Sequence, residues 1–252
     1  MKFISSSNDL SVYLDLNIAK GIPIKNISID TRTIKKDSLF IAIKGDKFDG
    51  NDFVQEAFEK GASLAIADNK KFLKIRNKKI VYVKNTIGAL KKISENIIKK
   101  YDGNVIAITG SNGKTTTTNI IANSLNNTSK TIGNYNNEIG MPLSIINASP
   151  KSKNIIIEIG AAKAGDIDYL SRILNPFIGV ITNIGNSHLE TLKNINGVLK
   201  VKSEIVNNIK EGGYLIVPNE NKKHLSYWKL IRDDINIYSF GMTKSADFFA
   251  SD

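Results

Sequence analysis

The 252-residue chain has no cysteine, which excludes disulfides and thiolate metal sites and fits a reducing compartment. Histidine is almost as scarce, since His188 and His224 are the only two. Arginine is confined to Arg32, Arg76, Arg172 and Arg232, so the net charge of +11 rests on scattered lysines. No basic stripe with interleaved aromatics appears; the charge reads as solvated Lys on helix faces, and no nucleic-acid partner is expected. The opening "MKFISSSNDLSVYL" lacks the unbroken apolar run of a signal peptide, and no later stretch is long enough to span a bilayer. The expectation is therefore a cytoplasmic protein with no membrane partner.

What is present is a hydrophobic content of 41%, ample for one large domain or two ordinary ones. Residues 25 to 83 alternate short apolar runs with turn signals. "IKNISID", "SLFIAI", "ASLAIA" and "KIVYV" read as strands, and "NDFVQEAFEKG" as a helix capped by Asn51 and stopped by Gly61. Thr86 to Tyr101 has helical spacing, and "DGN" then breaks the chain, which puts a domain boundary near residue 103 and divides the chain into 1–103 and 104–252. Beyond it, "VIAIT", "NIIIEIG", "FIGVITNIG", "YLIVP" and "INIYSFG" are strands apolar on both sides, separated by segments of helical length. That pattern predicts an α/β protein, a small amino-terminal α/β domain followed by a doubly wound, mostly parallel sheet that binds ligands at the carboxyl ends of its strands.

The residues with chemical potential fall at those strand ends. "ITGSNGKTTTT" at 108–118 lies between a buried strand and a helix, the context of a phosphate-binding loop, although Ile108 stands where the strict G-x-x-x-x-G-K-[ST] pattern has its first glycine. Gly110 and Gly113 allow the backbone to approach phosphates, Lys114 neutralises them, and the Thr115 hydroxyl can hold Mg²⁺. Glu158 closes a wholly apolar strand, where a carboxylate is costly unless it meets a cation; a Mg²⁺ ligand and a partner of a nearby Lys are both open readings. His188, just past another strand, can be a metal ligand, a general base or an ordinary histidine. His224 has no such context and reads as structural. Lys200 and Lys202 look like ordinary exposed lysines.

In order and spacing these pieces resemble the Mur ligase family, the ATP-dependent amide-forming enzymes of peptidoglycan precursor synthesis. "TGSNGKTT" at 109–116 is similar to that family's loop throughout, which removes the objection at Ile108. "NYNNEIGMPLSI", "EIGAAKAGDI", "NIGNSHLE" and "GVLKVKSEI" resemble the branch that joins D-alanyl-D-alanine to UDP-N-acetylmuramoyl-tripeptide, as does "DTRTIKKDSLFIAIKGDKFDGNDFVQEAFEKGA". Asp37-Ser38 and Asn51 depart from that last pattern. The resemblance implies ATP binding by Gly110, Ser111, Asn112, Gly113, Lys114, Thr115 and Thr116. It implies metal sites at Thr115, Glu158, His188 and Lys202, the last as a CO₂-derived carbamate, with two Mg²⁺ ions. It places Lys114, Glu158, His188 and Lys202 in catalysis, and Asn136 and Asn137 toward the substrate. Asp30, Thr31, Arg32, Gly45, Asp49 and Gly50 match the unit that grips the uridine-diphosphate sugar. The implied partners are ATP, UDP-N-acetylmuramoyl-tripeptide and D-alanyl-D-alanine, bound by a monomer. The chemistry implied is an acyl phosphate attacked by an amine. By the same resemblance the chain is expected to be a truncated or split product, its central domain incomplete and the carboxyl-terminal ligase domain missing. Alternatives are a sister ligase adding another residue, a folylpolyglutamate synthase, or a non-catalytic nucleotide- or UDP-sugar-binding remnant; "NNEIGMP" argues against the first two.

Overall fold

The computed structural model describes residues 2–75, 77–187 and 189–250. The chain divides into two compact units, Met1–Lys100 and Tyr101–Asp252. Among the described residues no helix is long and apolar enough to cross a membrane.

The first unit runs α1 (Ser7–Leu14), β1 (Asn26–Ser28), β2 (Ser38–Ile41), α2 (Val54–Glu59), β3 (Ala62–Ala67), β4 (Ile80–Tyr82) and α3 (Thr86–Lys100). Its four strands form a parallel sheet in the order β1-β2-β3-β4. Phe40, Val54, Ala57, Ala65 and Phe72 meet in one core between sheet and α2. The expected cap at Asn51 is not made. A 3₁₀ turn over Gly50–Phe53 precedes α2, and Asp49 caps that turn by accepting the Asn51 N–H at 2.9 Å. Asn51 is buried instead, and its amide joins Asp49, Asp68 and the Asn69 backbone. A short polar side chain saturated by four such bonds packs a turn more firmly than a solvent-facing cap would.

The second unit runs β5 (Asn104–Thr109), α4 (Lys114–Ser124), β6 (Thr128–Lys130), α5 (Gly140–Asn147), β7 (Asn154–Glu158), α6 (Asp166–Leu174), β8 (Ile178–Ile181), α7 (Leu189–Leu192), α8 (Ile195–Ser203), β9 (Tyr214–Pro218), α9 (Lys222–Lys229), β10 (Asn236–Gly241) and β11 (Phe248–Phe249). The sheet order is β11-β10-β9-β8-β5-β7-β6, and every strand pairing is parallel among the described residues. The order reverses direction at β5, so the crevice above its carboxyl end is the topological switch point of a doubly wound sheet. Right-handed crossovers put α4 on one face and α5, α6, α8 and α9 on the other.

The two faces of the β8–β11 half are covered unequally. Leu215 and Val217, on the face opposite Ile216 and α4, are wholly buried. Tyr214, Ile216 and Phe240, on the α4 face, stay half-buried, and Phe248 is exposed. Tyr214 stacks on Tyr238 at 6.2 Å, and Tyr238 leans on Phe248 at 5.9 Å. A groove of about 510 Å³ runs between α4 and these strands.

Candidate active site

The loop between β5 and α4 is shaped by two glycines that occupy conformations few other residues adopt. Gly113 has φ +77 and begins α4 with no side chain capping the helix, so the first-turn N–H groups keep their capacity to bind an anion. Gly110 has φ +148, and a Cβ there would overlap the Thr182 hydroxyl, so a larger residue would be strained and would have to displace that hydroxyl. Lys114 Nζ folds back on the loop and donates to the Gly110 carbonyl at 2.9 Å and the Ser111 carbonyl at 3.3 Å. Thr116 follows Thr115 in the exposed first turn of α4.

The two loop residues before Gly113 are tied to the segment that follows β8. The Ser111 N–H reaches the Asn183 carbonyl at 3.2 Å, and the Asn112 N–H reaches Asn183 Oδ1 at 2.9 Å. The Thr182 hydroxyl donates to the Asn112 carbonyl at 2.6 Å, and Ser111 Oγ accepts the Gly185 N–H at 2.9 Å.

Glu158 sits at the carboxyl end of β7, paired alongside β5, with only 2% of its surface exposed. Its partners are a hydroxyl and an amide, not a lysine. Thr115 Oγ1 donates to Oε2 at 2.7 Å and Asn136 Nδ2 donates to Oε1 at 2.8 Å. The Glu158 N–H in turn donates to the buried Thr131 Oγ1 at 2.7 Å. The carboxylate is thus aimed beside the amino end of α4.

Next to it lies a cavity of about 400 Å³ lined by Lys114, Asn136, Asn137, Asp166, Tyr169 and Lys202, among others. Lys202 is the surprise of α8. It was expected to be exposed like Lys200, yet only 1% of it is accessible. Burial, with the Lys114 charge second, pushes its ammonium down to about 8, while Glu204 and Asp166 act in the opposite sense. Glu204 also receives the Gly165 N–H at 2.8 Å and the Asp168 N–H at 3.1 Å, fixing the start of α6 on the cavity wall.

The donors suit Mg²⁺. Among the described residues no three His, Asp or Glu side chains cluster, but Mg²⁺ commonly takes only one or two carboxylates and fills its octahedron with water and substrate phosphate. A carboxylate and a hydroxyl 2.7 Å apart, beside an anion-ready helix end, supply hard oxygens of that kind. Lys202 brings to the same cavity an amine whose charged form is disfavoured by burial and by Lys114. His188 lies outside the described residues. His224 stands apart from this group; burial lowers its pKa and its ring packs edge-on against Trp228 at 6.0 Å.

Residues 108–252 match the Mur ligase middle domain. The chain belongs to the Mur ligase family. Residues 23–110 of this Mur ligase chain match a second family model, the Mur ligase family catalytic domain. The UDP-N-acetylmuramoyl-tripeptide--D-alanyl-D-alanine ligase of Bacillus subtilis is 39% identical over 196 residues, 77% of this chain and 43% of that protein. A crystal structure of MurF from Acinetobacter baumannii matches with a TM-score of 0.84 at 30% identity, over 96% of this chain and 54% of that one. MurF ligase from Thermotoga maritima in complex with ADP matches with a TM-score of 0.78 at 30% identity, over 90% of this chain and 52% of that one. The chain spans about half the length of the curated relatives it matches.

In the first unit of this Mur ligase, parallel β1 and β2 bring the segments that follow them to one sheet edge, and those segments hold the other candidates. Asp30 caps the turn Thr31–Thr33 and grips Arg32, with Arg32 Nη2 at 2.6 Å from Asp30 Oδ2. That guanidinium holds the Asp30 carboxyl below its usual range. Thr31 donates its hydroxyl to Glu56 at 2.9 Å. Gly45 closes a tight turn onto the Phe48 carbonyl, and at Gly50 a Cβ would come within 2.6 Å of the Ile43 backbone. Asp49, the turn cap, is likewise held below its usual range by Asn51.

Residue-level reading passed over Thr131, Asp166, Tyr169, Asn183 and Glu204. Asp166, Asn183 and Glu204 nonetheless lie within the segments that resemble the family, whereas Thr131 and Tyr169 carry no such signal.

Proposed function

We propose that this chain supplies the nucleotide and UDP-sugar sites of an ATP-dependent ligase that joins D-alanyl-D-alanine to UDP-N-acetylmuramoyl-tripeptide. The observation that carries the reading is the junction of Thr115, Glu158 and Asn136 at the switch point, with Lys114 and Lys202 on the adjoining cavity. Relatives bearing that ligase's name at 30–39% identity support the substrate pair.

In this reading the first-turn N–H groups of α4 and Lys114 receive the ATP phosphates, Lys114 exchanging its loop carbonyls for phosphate oxygens. Thr115 and Glu158 would hold one Mg²⁺, and Lys202 as a carbamate would hold a second; His188 is proposed as a further ligand from the family resemblance alone. Bound there, the ions would neutralise charge on the phosphoryl oxygens. The substrate carboxylate attacks the γ-phosphorus, ADP departs, and an acyl phosphate remains. The amine of D-alanyl-D-alanine then attacks the acyl carbon, and inorganic phosphate leaves. Asn136 and Asn137 orient the acyl end, and Asp30, Thr31, Arg32, Gly45, Asp49 and Gly50 hold the uridine diphosphate. ADP binding by calorimetry in Mg²⁺ tests the nucleotide site. Phosphate release with both substrates, with and without the polypeptide that the relatives carry beyond the matched part, tests the ligase. A chain that binds neither ADP nor the UDP-tripeptide would sink the proposal.

A further inference from the structure

We propose that Asn183 is a positioning residue that sets the anion cradle of the phosphate loop; the inference rests on the nucleotide reading above. Its single side chain spans from the segment after β8 to the loop after β5. Asn183 Oδ1 takes the Asn112 N–H and its main-chain carbonyl takes the Ser111 N–H. The N–H groups of Ser111 and Asn112 are therefore spent inside the protein and do not face a phosphate. The cradle is left to the N–H groups that follow, at the uncapped start of α4.

A second anchor holds the same strap. Ser111, only 9% exposed, donates Oγ–H to the Gly185 carbonyl at 3.0 Å, accepts the Gly185 N–H, and accepts the Ser187 hydroxyl at 3.0 Å. Thr182 closes the third side, on the Asn112 carbonyl and against Gly110. Only two residues separate the loop's glycines, and both of them, Ser111 and Asn112, are held by contacts from the neighbouring strand end. The requirement at position 183 is a neutral acceptor. An aspartate there would still accept the Asn112 N–H but would add negative charge beside the phosphates. A leucine of similar size would accept nothing.

The test compares wild type, Asn183→Leu, Asn183→Asp and Ser111→Ala in the full chain, with ADP and adenosine as probes and amide hydrogen exchange at Asn112 as the structural readout. In N183L, ADP should weaken roughly tenfold, the factor for one hydrogen bond of about 1.4 kcal/mol, while adenosine affinity is unchanged. Asn112 exchange should quicken without change in β5 or β7. N183D should keep the slow exchange yet lose ADP affinity, and the loss should shrink at high salt. S111A reports on the strap from its other anchor and should weaken ADP selectively too. Equal loss of ADP and adenosine, or unchanged Asn112 exchange in N183L, would overturn the assignment while wild-type ADP binding leaves the nucleotide reading standing. Failure of wild type to bind ADP would overturn both.

Discussion

Replacing Lys202 with methionine keeps an unbranched stem of similar length and deletes the charge at its tip. In the folded chain that ammonium is pushed from 10.5 down to about 8, first by burial and next by the Lys114 charge. At about 1.4 kcal/mol per unit, the charged form costs the native state about 3 kcal/mol. Between about pH 8 and 10.5 the unfolded chain still holds a proton that the folded chain has released, so stability rises with pH through that window. Below about pH 8 the full cost is carried. Lys202→Met should therefore be more stable than wild type by about 2–3 kcal/mol at pH 7, with the gain shrinking toward pH 10. Urea unfolding in CO₂-free buffer reads this directly. Trp228, the only tryptophan, is wholly buried and donates its Nε1–H at 2.7 Å to Ser203, the residue after Lys202. Its fluorescence follows this unit alone. Equal midpoints at pH 7, or a difference that stays constant with pH, would refute the claim that a buried cation is held here.

Other changes probe the neighbouring groups. Gly110→Ala should cost about 3 kcal/mol or more, because φ +148 and the Thr182 hydroxyl both oppose a Cβ; an unchanged urea midpoint would contradict it. Glu158→Gln should bind ADP in Mg²⁺ no better than wild type does in EDTA, as read by calorimetry. With ¹³C-bicarbonate near pH 8.5, wild type should show a carbamate carbon resonance that Lys202→Met lacks. Tyr238→Lys should reduce binding of an apolar fluorescent dye to the half-covered sheet face, since Tyr238 stands between Tyr214 and Phe248.

Strands apolar on both sides were readable because a doubly covered sheet leaves no other pattern, and β3, β5 and β9 fall on or within a residue of their apolar runs. Other elements carry no such pattern. The strand β6 is three polar residues at the sheet edge, and α5 is buried on all sides from Gly140 to Ile146, so its sequence shows no amphipathic period. Asn51 looked like a cap because local spacing cannot reveal that Asp68, 17 residues on, needs its amide. Glu158 was legible as a strand-end carboxylate, but its partners Thr115 and Asn136 come from other elements. Lys202 is the clearest limit. Alone in its helix it is one lysine among many, and only packing of α8 against α6 at the cavity lowers the pKa of its ammonium.

The position of β5 in the sheet also has a consequence in time. It is made first in its unit but pairs with β7 and β8, so Ile106 waits for both Ile156 and Ile178 to be synthesised. At roughly 5–20 residues per second, "NVIAIT" stays unpaired on both edges for several seconds, an interval in which it can meet the wrong strand. Slower translation would lengthen that interval, so the yield of soluble chain should depend on elongation rate as well as on final stability.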